Sequence, residues 1–208
     1  MGTSKFSYAT DVPDSRKLLK AWLRNVSLTQ TTYANLLNSL SRGKSHNEYS
    51  SIGKLLEYCP KLRQTLDPRL LDYWLDKAEG WAEVDTLCQG NFTAEELLSN
   101  WQTWQKLLEK FVANKNIHKR RAALVLLTGP VRHSSDERLA KLAFQNIEKL
   151  KAEKHILITK AISWVLRGLI KYHRSEVEVY ITKNTDSLPK VAIRETINKL
   201  KSGRKSGK

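Results

Sequence analysis

The 208-residue sequence has little cysteine, proline or glycine, with two, five and nine residues respectively. The two cysteines, Cys59 and Cys88, are too few for a disulfide framework and lack the spacing of a metal-binding motif. The five histidines form no HExxH or paired Cys/His pattern. We therefore expect an intracellular protein in a reducing compartment, with no metal and no cofactor.

Long hydrophobic runs are also absent. Runs such as Ala122–Leu127 fall far short of the roughly 20 residues that span a bilayer, and the N-terminus shows no secretory signal. No glycine-rich phosphate loop, GxSxG motif or zinc-deaminase ligand set occurs. These absences exclude membrane-spanning and secreted proteins, P-loop ATPases, serine hydrolases and zinc deaminases.

Negative charge is scarce relative to positive charge. The chain has 36 Lys+Arg against 21 Asp+Glu, a net charge of +15. The last ten residues carry five of these cations, so about +10 (15 − 5) remains on the rest of the chain. This excess favours a polyanionic partner, most commonly nucleic acid. The alternative is a basic protein without such a partner.

Apolar residues recur at helical spacing nearly everywhere, and no β-rich run is bounded by hairpin turns. Asp67-Pro68 predicts the start of a helix, and Thr93–Glu96 has the spacing of a capping box. Helices are predicted at about 14–26, 33–43, 52–59, 67–78, 81–89, 93–111, 117–128, 135–150, 155–173, 174–184 and 189–201.

The element lengths indicate a helical-repeat protein. Each helix pair spans roughly 35–45 residues, the period of HEAT or armadillo units. The fold class predicted is all-α, a HEAT-like superhelical solenoid with a basic concave face that matches a nucleic-acid duplex. We assign residues 1–12 to an N-terminal segment, 13–201 to one repeat domain, and 202–208 to a basic tail.

Trp164 lies away from the apolar side of its predicted helix. At about 100° per residue, it is roughly 140° from the centre of the apolar stripe. Lys160, Arg167 and Lys171 share its side. One interpretation is an aromatic group that contacts a base or sugar and is flanked by phosphate contacts. The other is packing against the next repeat, and both stay open here.

Trp81 and Asp85 are four residues apart and lie one above the other on a helix. The apolar side of this helix contains Val84, Leu87 and Cys88, so Asp85 faces away from it. Beside a tryptophan on a basic protein, its carboxylate is suited to balancing a developing positive charge. The alternative is a solvated aspartate paired with a nearby lysine.

Arg120 and Arg121 stand at the entrance to a stretch that is apolar on every side, which predicts an interior helix. An arginine held there is suited to binding a phosphate. The alternative is an arginine at a helix start in solvent. His118, just before this stretch, is interpreted as structural or as a phosphate neighbour.

Four segments, in this order and at these separations, resemble the AlkD-like DNA alkylation-repair glycosylases, a family of HEAT-like α-solenoids. The segments are Gly80–Asp85, Arg120–Leu124, Lys160–Arg167 and Leu188–Glu195. Each motif alone is moderately specific, whereas the ordered set is more so. The resemblance extends from about Val12 to about Thr196, most of the chain.

The family removes bases alkylated at ring nitrogens, such as 3-methyladenine and 7-methylguanine, by cleaving the N-glycosidic bond. The resemblance implies that Asp85 is the catalytic aspartate and Arg121 the active-site arginine. It also implies that Trp81 and Trp164 hold the lesion. These roles agree with the chemistry, because the lesion is cationic and the departing base leaves an oxocarbenium-like sugar.

The sequence departs from the family at several positions. His118 and Gly80 stand where members often have a tryptophan, and Gly168 stands where they often have a glutamate. About a dozen residues precede the Val12 region, in place of the helices found there in longer relatives.

We therefore predict a monomeric, monofunctional DNA glycosylase that hydrolyses the N-glycosidic bond of alkylated, cationic bases in duplex DNA. We expect it in the cytoplasm, at the nucleoid, or in the nucleus of a eukaryote. No lysine is placed to suggest a Schiff base, so lyase activity is not expected. The alternatives are a non-catalytic DNA-binding scaffold of the same family and a protein–protein HEAT adaptor. The predicted DNA-binding residues are Arg120, Lys160, Arg167, Lys171, His118 and Lys44.

Overall fold

The computed structural model describes residues 2–206, which form thirteen α-helices and no β-strand. The predicted all-α class is confirmed, whereas the solenoid architecture and its basic face stay predictions. In chain order the helices are α1 (Val12–Leu23), α2 (Gln30–Ser41), α3 (His46–Tyr58), α4 (Pro60–Arg63), α5 (Leu70–Leu75), α6 (Trp81–Cys88), α7 (Ala94–Ser99), α8 (Trp101–Val112), α9 (Ile117–His133), α10 (Glu137–Leu150), α11 (Ile156–Leu169), α12 (Arg174–Lys183) and α13 (Lys190–Ser202).

Short polar motifs start several of these helices. The capping box predicted at Thr93 is confirmed: its hydroxyl accepts from the Glu96 N–H at 3.2 Å, and Glu96 accepts from the Thr93 N–H at 2.7 Å. Capping boxes also begin α2 at Thr29 and α3 at Ser45. Each box satisfies backbone N–H groups that have no partner within the helix.

Several helix bounds differ from the predicted ones; α3, for example, begins at His46 rather than near residue 52. The single helix predicted over 93–111 is interrupted at Asn100, whose backbone leaves the helical region with φ −126° and ψ 47°. The helix predicted from Asp67-Pro68 begins later, at Leu70. Asp67 instead closes a turn, in which its carbonyl accepts from the Leu70 N–H at 3.0 Å and its carboxylate from the Arg69 N–H at 2.9 Å. Apolar spacing misses the interruption at Asn100 because a single residue outside the helix hardly alters the period. It misses the later start of α5 because residues 67–69 are not part of the apolar stripe, which begins at Leu70.

The chain divides into two compact units, one ending at Asn91 and the other beginning at Phe92. In the first unit, α3 packs against α2 and α6. Its core contains two fully buried tyrosines whose hydroxyls donate to backbone carbonyls. Tyr33 donates to Leu55 O at 3.0 Å and Tyr49 to Trp74 O at 2.8 Å. Their polar ends are therefore satisfied inside the core.

In the second unit, α9 is the central helix and packs against α8, α10 and α11, while α13 packs against α11. The residues of Ala122–Leu127 are all buried, so the predicted interior helix is confirmed. The helix extends beyond the predicted end at 128 and contains Pro130. Within residues 2–206, no helix combines the length and the apolar character needed to cross a membrane.

Candidate active site

The predicted orientation of α6 agrees with the structure. Val84, Leu87 and Cys88 are buried, Trp81 is 44% exposed, and Asp85 is partly exposed. The tryptophan and the carboxylate therefore lie on the side of α6 that its packing against α3 leaves accessible.

The close approach of α3 and α6 depends on Gly53. A Cβ atom at this position would lie 2.1 Å from the carbonyl oxygen of Thr86, far inside van der Waals contact. Gly53 directly precedes Lys54, and Thr86 directly follows Asp85. The glycine therefore sets the separation of the two backbones that carry Lys54 and Asp85.

Trp81 and Asp85 line a cavity of about 410 Å³ within the first unit. Residues of α1, α3 and α6 surround it, and most of their side chains are polar. This volume lies within the range of small-molecule sites in proteins. The residues from these helices are Val12, Ser15, Arg16, His46, Asn47, Ser50, Gly53, Lys54, Glu57, Trp81, Ala82, Asp85 and Thr86.

Sequence reasoning missed Glu83, which is fully buried two residues before Asp85. Its Oε1 accepts from Thr3 Oγ1 at 2.6 Å and lies 3.4 Å from His46 Nδ1, and its Oε2 accepts from the Glu79 N–H. An acidic residue in the first turn of a helix is a recognisable N-terminal signal. This signal does not predict that Glu83 is buried, because its burial depends on partners that are distant in sequence.

The N-terminal segment lies along the starts of α3 and α6. The Gly2 carbonyl accepts from the Ala82 N–H at 3.0 Å, and the Phe6 carbonyl accepts from the His46 N–H at 2.7 Å. A Cβ atom at Gly80 would lie 2.0 Å from the Gly2 oxygen. The glycine at position 80 therefore makes room for the N-terminal segment next to Trp81.

Lys54 is a second residue that sequence reasoning missed. Only 9% of it is exposed, and its Nζ donates to Ser15 Oγ at 2.6 Å and Ser50 Oγ at 3.3 Å. Burial is the main cause that lowers the pKa of Lys54, and the positive charge of Arg16 lowers it further. The only indication of this burial in the sequence is that Lys54 stands within the apolar stretch Ile52–Leu56.

The second unit holds the two arginines predicted at the start of α9. Arg121 is 5% exposed and donates from Nη1 to the Leu157 carbonyl at 2.6 Å, so it is not an arginine in solvent. Arg120 pairs with both carboxylate oxygens of Glu153, at 2.7 and 3.1 Å, and also donates to two backbone carbonyls. This binding ties the start of α9 to the region after α10.

Trp164 is partly buried on α11, while Lys160 and Lys171 are exposed. Arg167 is largely buried: its Nε donates to the Ser163 carbonyl at 3.2 Å, and its Nη2 lies 3.4 Å from Glu195 Oε2. Burial is the main cause that lowers the pKa of Arg167. The three cations predicted to share the side of Trp164 therefore differ in accessibility. The two lysines are exposed, whereas the arginine is largely buried and ion-paired.

The structure places two further cations near Arg167. Burial is the main cause that lowers the pKa of Lys199, and the positive charges of Arg132 and Arg167 lower it further. The helices are close here, since a Cβ atom at Gly168 would lie 3.1 Å from Val131 Cγ2. Sequence reasoning missed Arg132 and Lys199, because α9, α11 and α13 come together only in the fold.

The remaining predicted residues are His118 and Lys44. The backbone N–H of His118 donates to Asn116 Oδ1 at 2.8 Å, the cap of α9, and its side chain is partly buried. Lys44 is exposed just before α3 and does not line the Asp85 cavity. Within residues 2–206, no group of three or more His, Cys, Asp or Glu side chains has the arrangement of a metal site.

Comparison with known proteins identifies the fold and then the family. A solved structure described as a predicted DNA alkylation repair enzyme from Enterococcus faecalis is similar, with a TM-score of 0.69 and 16% sequence identity. The match covers 89% of this chain and 84% of that chain. A search of curated proteins gave no match.

The family model for DNA alkylation repair enzymes matches residues 4–200. The chain belongs to this family, which confirms the resemblance to AlkD-like proteins that the four motifs indicated.

Proposed function

We propose that the protein hydrolyses the N-glycosidic bond of alkylated, cationic bases in duplex DNA. The observation that carries this proposal is that Trp81 and Asp85 both lie on the accessible side of α6 and line a polar cavity. Membership of the DNA alkylation repair family supports alkylated DNA as the substrate.

The reaction places positive charge on the sugar. When the bond between C1′ and the base nitrogen breaks, the base leaves as a neutral molecule with the bonding electrons, and the sugar becomes oxocarbenium-like. A carboxylate near C1′ stabilises this transition state more than the ground state. Water then adds to C1′ and loses a proton to solvent. Because the alkylated base is already a good leaving group, one carboxylate is enough, and we assign this role to Asp85.

The tryptophans and Arg121 have binding roles in this proposal. An exposed indole face attracts a cationic base by roughly 0.5–2 kcal/mol. We assign this contact to Trp81 and, from the family resemblance, to Trp164. Arg121 is assigned to the reacting nucleotide on the same ground. The exposed lysines at positions 44, 160 and 171 are proposed to bind backbone phosphates.

The test is release of 3-methyladenine and 7-methylguanine from methylated duplex DNA by the wild type and by Asp85→Asn. We expect release by the wild type and almost none by the variant, with DNA affinity unchanged. Equal release by both proteins would remove Asp85 from the mechanism. No release by the wild type, with salt-sensitive DNA binding, would favour a non-catalytic DNA-binding scaffold.

A further inference from the structure

Lys54 is a buried cation in the cavity of Asp85, and the proposed reaction does not use it. Its Nζ donates to the hydroxyls of Ser15, on α1, and Ser50, one turn earlier on α3. Within residues 2–206 these hydroxyls are its hydrogen-bond acceptors, and no carboxylate forms an ion pair with it. A lysine is therefore held in the cavity wall by neutral partners alone.

Such an arrangement is costly without a ligand. Burial removes the hydration of the ammonium group, and hydroxyls supply no negative charge in return. The positive charge of Arg16 adds to the cost, as the lowered pKa of Lys54 reflects. An ammonium has three N–H donors, of which the two serines accept two. An anion in the cavity would accept the third and supply the missing charge.

The position of Lys54 relates this anion to the proposed chemistry. Lys54 follows Gly53 and Asp85 precedes Thr86, so both adjoin the point where α3 and α6 are closest. Both side chains also line the same cavity of about 410 Å³. A nucleotide whose sugar lies at Asp85 carries its nearest negative charges on the phosphodiesters directly attached to that sugar.

We propose that Lys54, together with Ser15 and Ser50, binds a phosphodiester next to the nucleotide whose base is removed. This role rests on the proposed function. Lys54 makes or breaks no covalent bond; it is a positioning residue that holds the sugar against Asp85 through the phosphate. The hydroxyls orient the ammonium, and the phosphate offsets its buried charge.

The experiment measures single-turnover release of 7-methylguanine from duplexes that contain one lesion. In a matched series, each phosphate around the lesion is replaced in turn by a neutral methylphosphonate. We expect one replacement to slow the wild type by about 10- to 100-fold, the loss expected for a hydrogen bond between charged groups. Lys54→Met should be slowed by a similar factor on unmodified DNA and should not be slowed further by that replacement.

Two controls separate this role from general effects. Lys61→Met removes the same charge from an exposed lysine of α4 and should keep both the rate and the methylphosphonate response of the wild type. Ser15→Ala keeps Lys54 but removes the acceptor at 2.6 Å, and it should weaken the same response. It provides the test if Lys54→Met does not fold, as judged by circular dichroism and thermal unfolding.

The outcomes distinguish the two proposals. If the wild type releases no base from unmodified DNA, the proposed function fails, and this role of Lys54 fails with it. If the wild type releases base and Lys54→Met keeps its rate and its methylphosphonate response, only the role of Lys54 is wrong. A covalent DNA adduct trapped by borohydride and lost in Lys54→Met would also overturn it, since Lys54 would then be a nucleophile.

Discussion

Two carboxylates of α6, only two residues apart, have opposite surroundings. Glu83 is fully buried and accepts hydrogen bonds from Thr3 and from the Glu79 backbone. Asp85 is partly exposed and lines the cavity. Glu83 therefore holds the start of α6 in place, whereas Asp85 is the carboxylate that a ligand in the cavity can reach.

Replacing Glu83 should destabilise the protein. Glu83→Ala leaves the Thr3 hydroxyl and the Glu79 N–H without their acceptor, and we expect the free energy of unfolding to fall by about 2–4 kcal/mol. Urea unfolding followed by circular dichroism measures this change. As a control, Glu95→Ala removes an exposed glutamate of α7 and should change stability by less than about 0.5 kcal/mol. Equal effects of the two variants would contradict the structural role of Glu83.

Glu48 should make stability depend on pH in the acid range. Hydrogen bonds donated to the Glu48 carboxylate by Ser45 lower the pKa of Glu48 below its usual value of 4.5, and the bond from the hydroxyl has a larger effect than the bond from the N–H. The unfolded state therefore binds more protons in this range, and the stabilisation is present above pH 4.5 and lost as pH falls through the folded pKa. We expect the unfolding free energy to fall more steeply in the wild type than in Glu48→Gln between about pH 5 and pH 3. Parallel curves would show that the capping box contributes no such dependence.

At the scale of helices, the contact between α3 and α6 determines the geometry of the cavity. Both helices contribute lining residues, and the contact tolerates no side chain at Gly53 because the Thr86 carbonyl is too close. A change in this contact should therefore alter both stability and the placement of Asp85.

Gly53→Ala should destabilise the protein although alanine favours helices. The gain in helix propensity is about 1 kcal/mol, but a Cβ atom 2.1 Å from a backbone oxygen must push the helices apart. We expect a net loss of at least about 1 kcal/mol in thermal unfolding, together with slower base release. Ser51→Ala, a partly exposed position on α3, is the matched control and should change stability little. A stabilised Gly53→Ala protein would show that the helices adjust freely.

Local sequence signals account well for the helices but poorly for their interruptions. The capping box at Thr93 involves residues three positions apart and was predicted correctly. The interruption at Asn100 was not, because Leu97 and Trp104 keep the helical period on both sides of it and both are buried. Hydrophobic periodicity indicates which residues are buried. It does not indicate the backbone angles of the residues between them, such as Asn100.

At the scale of the whole molecule, the positively charged side chains differ in whether they are bound within the protein or accessible to a ligand. Arg120 and Arg167 are held by Glu153 and Glu195, and Lys54 is buried among hydroxyls. Exposed lysines such as Lys160 and Lys171 remain accessible to a polyanion. Net charge alone does not separate these groups, although only accessible cations release counterions from bound DNA.

DNA binding should therefore depend on salt through the exposed lysines. Lys160→Ala should reduce the slope of log K against log salt concentration by about 1, because it removes one phosphate contact. Fluorescence anisotropy with a labelled duplex at several salt concentrations measures the slope. Lys160→Arg keeps the charge and should keep the slope. An unchanged slope in Lys160→Ala would place this lysine outside the DNA interface.

The sequence by itself determined most of the helices, their buried sides and the placement of Trp81 and Asp85 on the same side of α6. These features depend on residues a few positions apart, which the helical period and capping motifs relate directly. Only the tertiary structure decided that Glu83 is buried, that Lys54 lines the Asp85 cavity, and that Arg120 is bound. The partners of these residues are far away in sequence: Thr3 is 80 positions from Glu83, Ser15 is 39 from Lys54, and Glu153 is 33 from Arg120. No local pattern relates such pairs, because packing of whole helices brings them together.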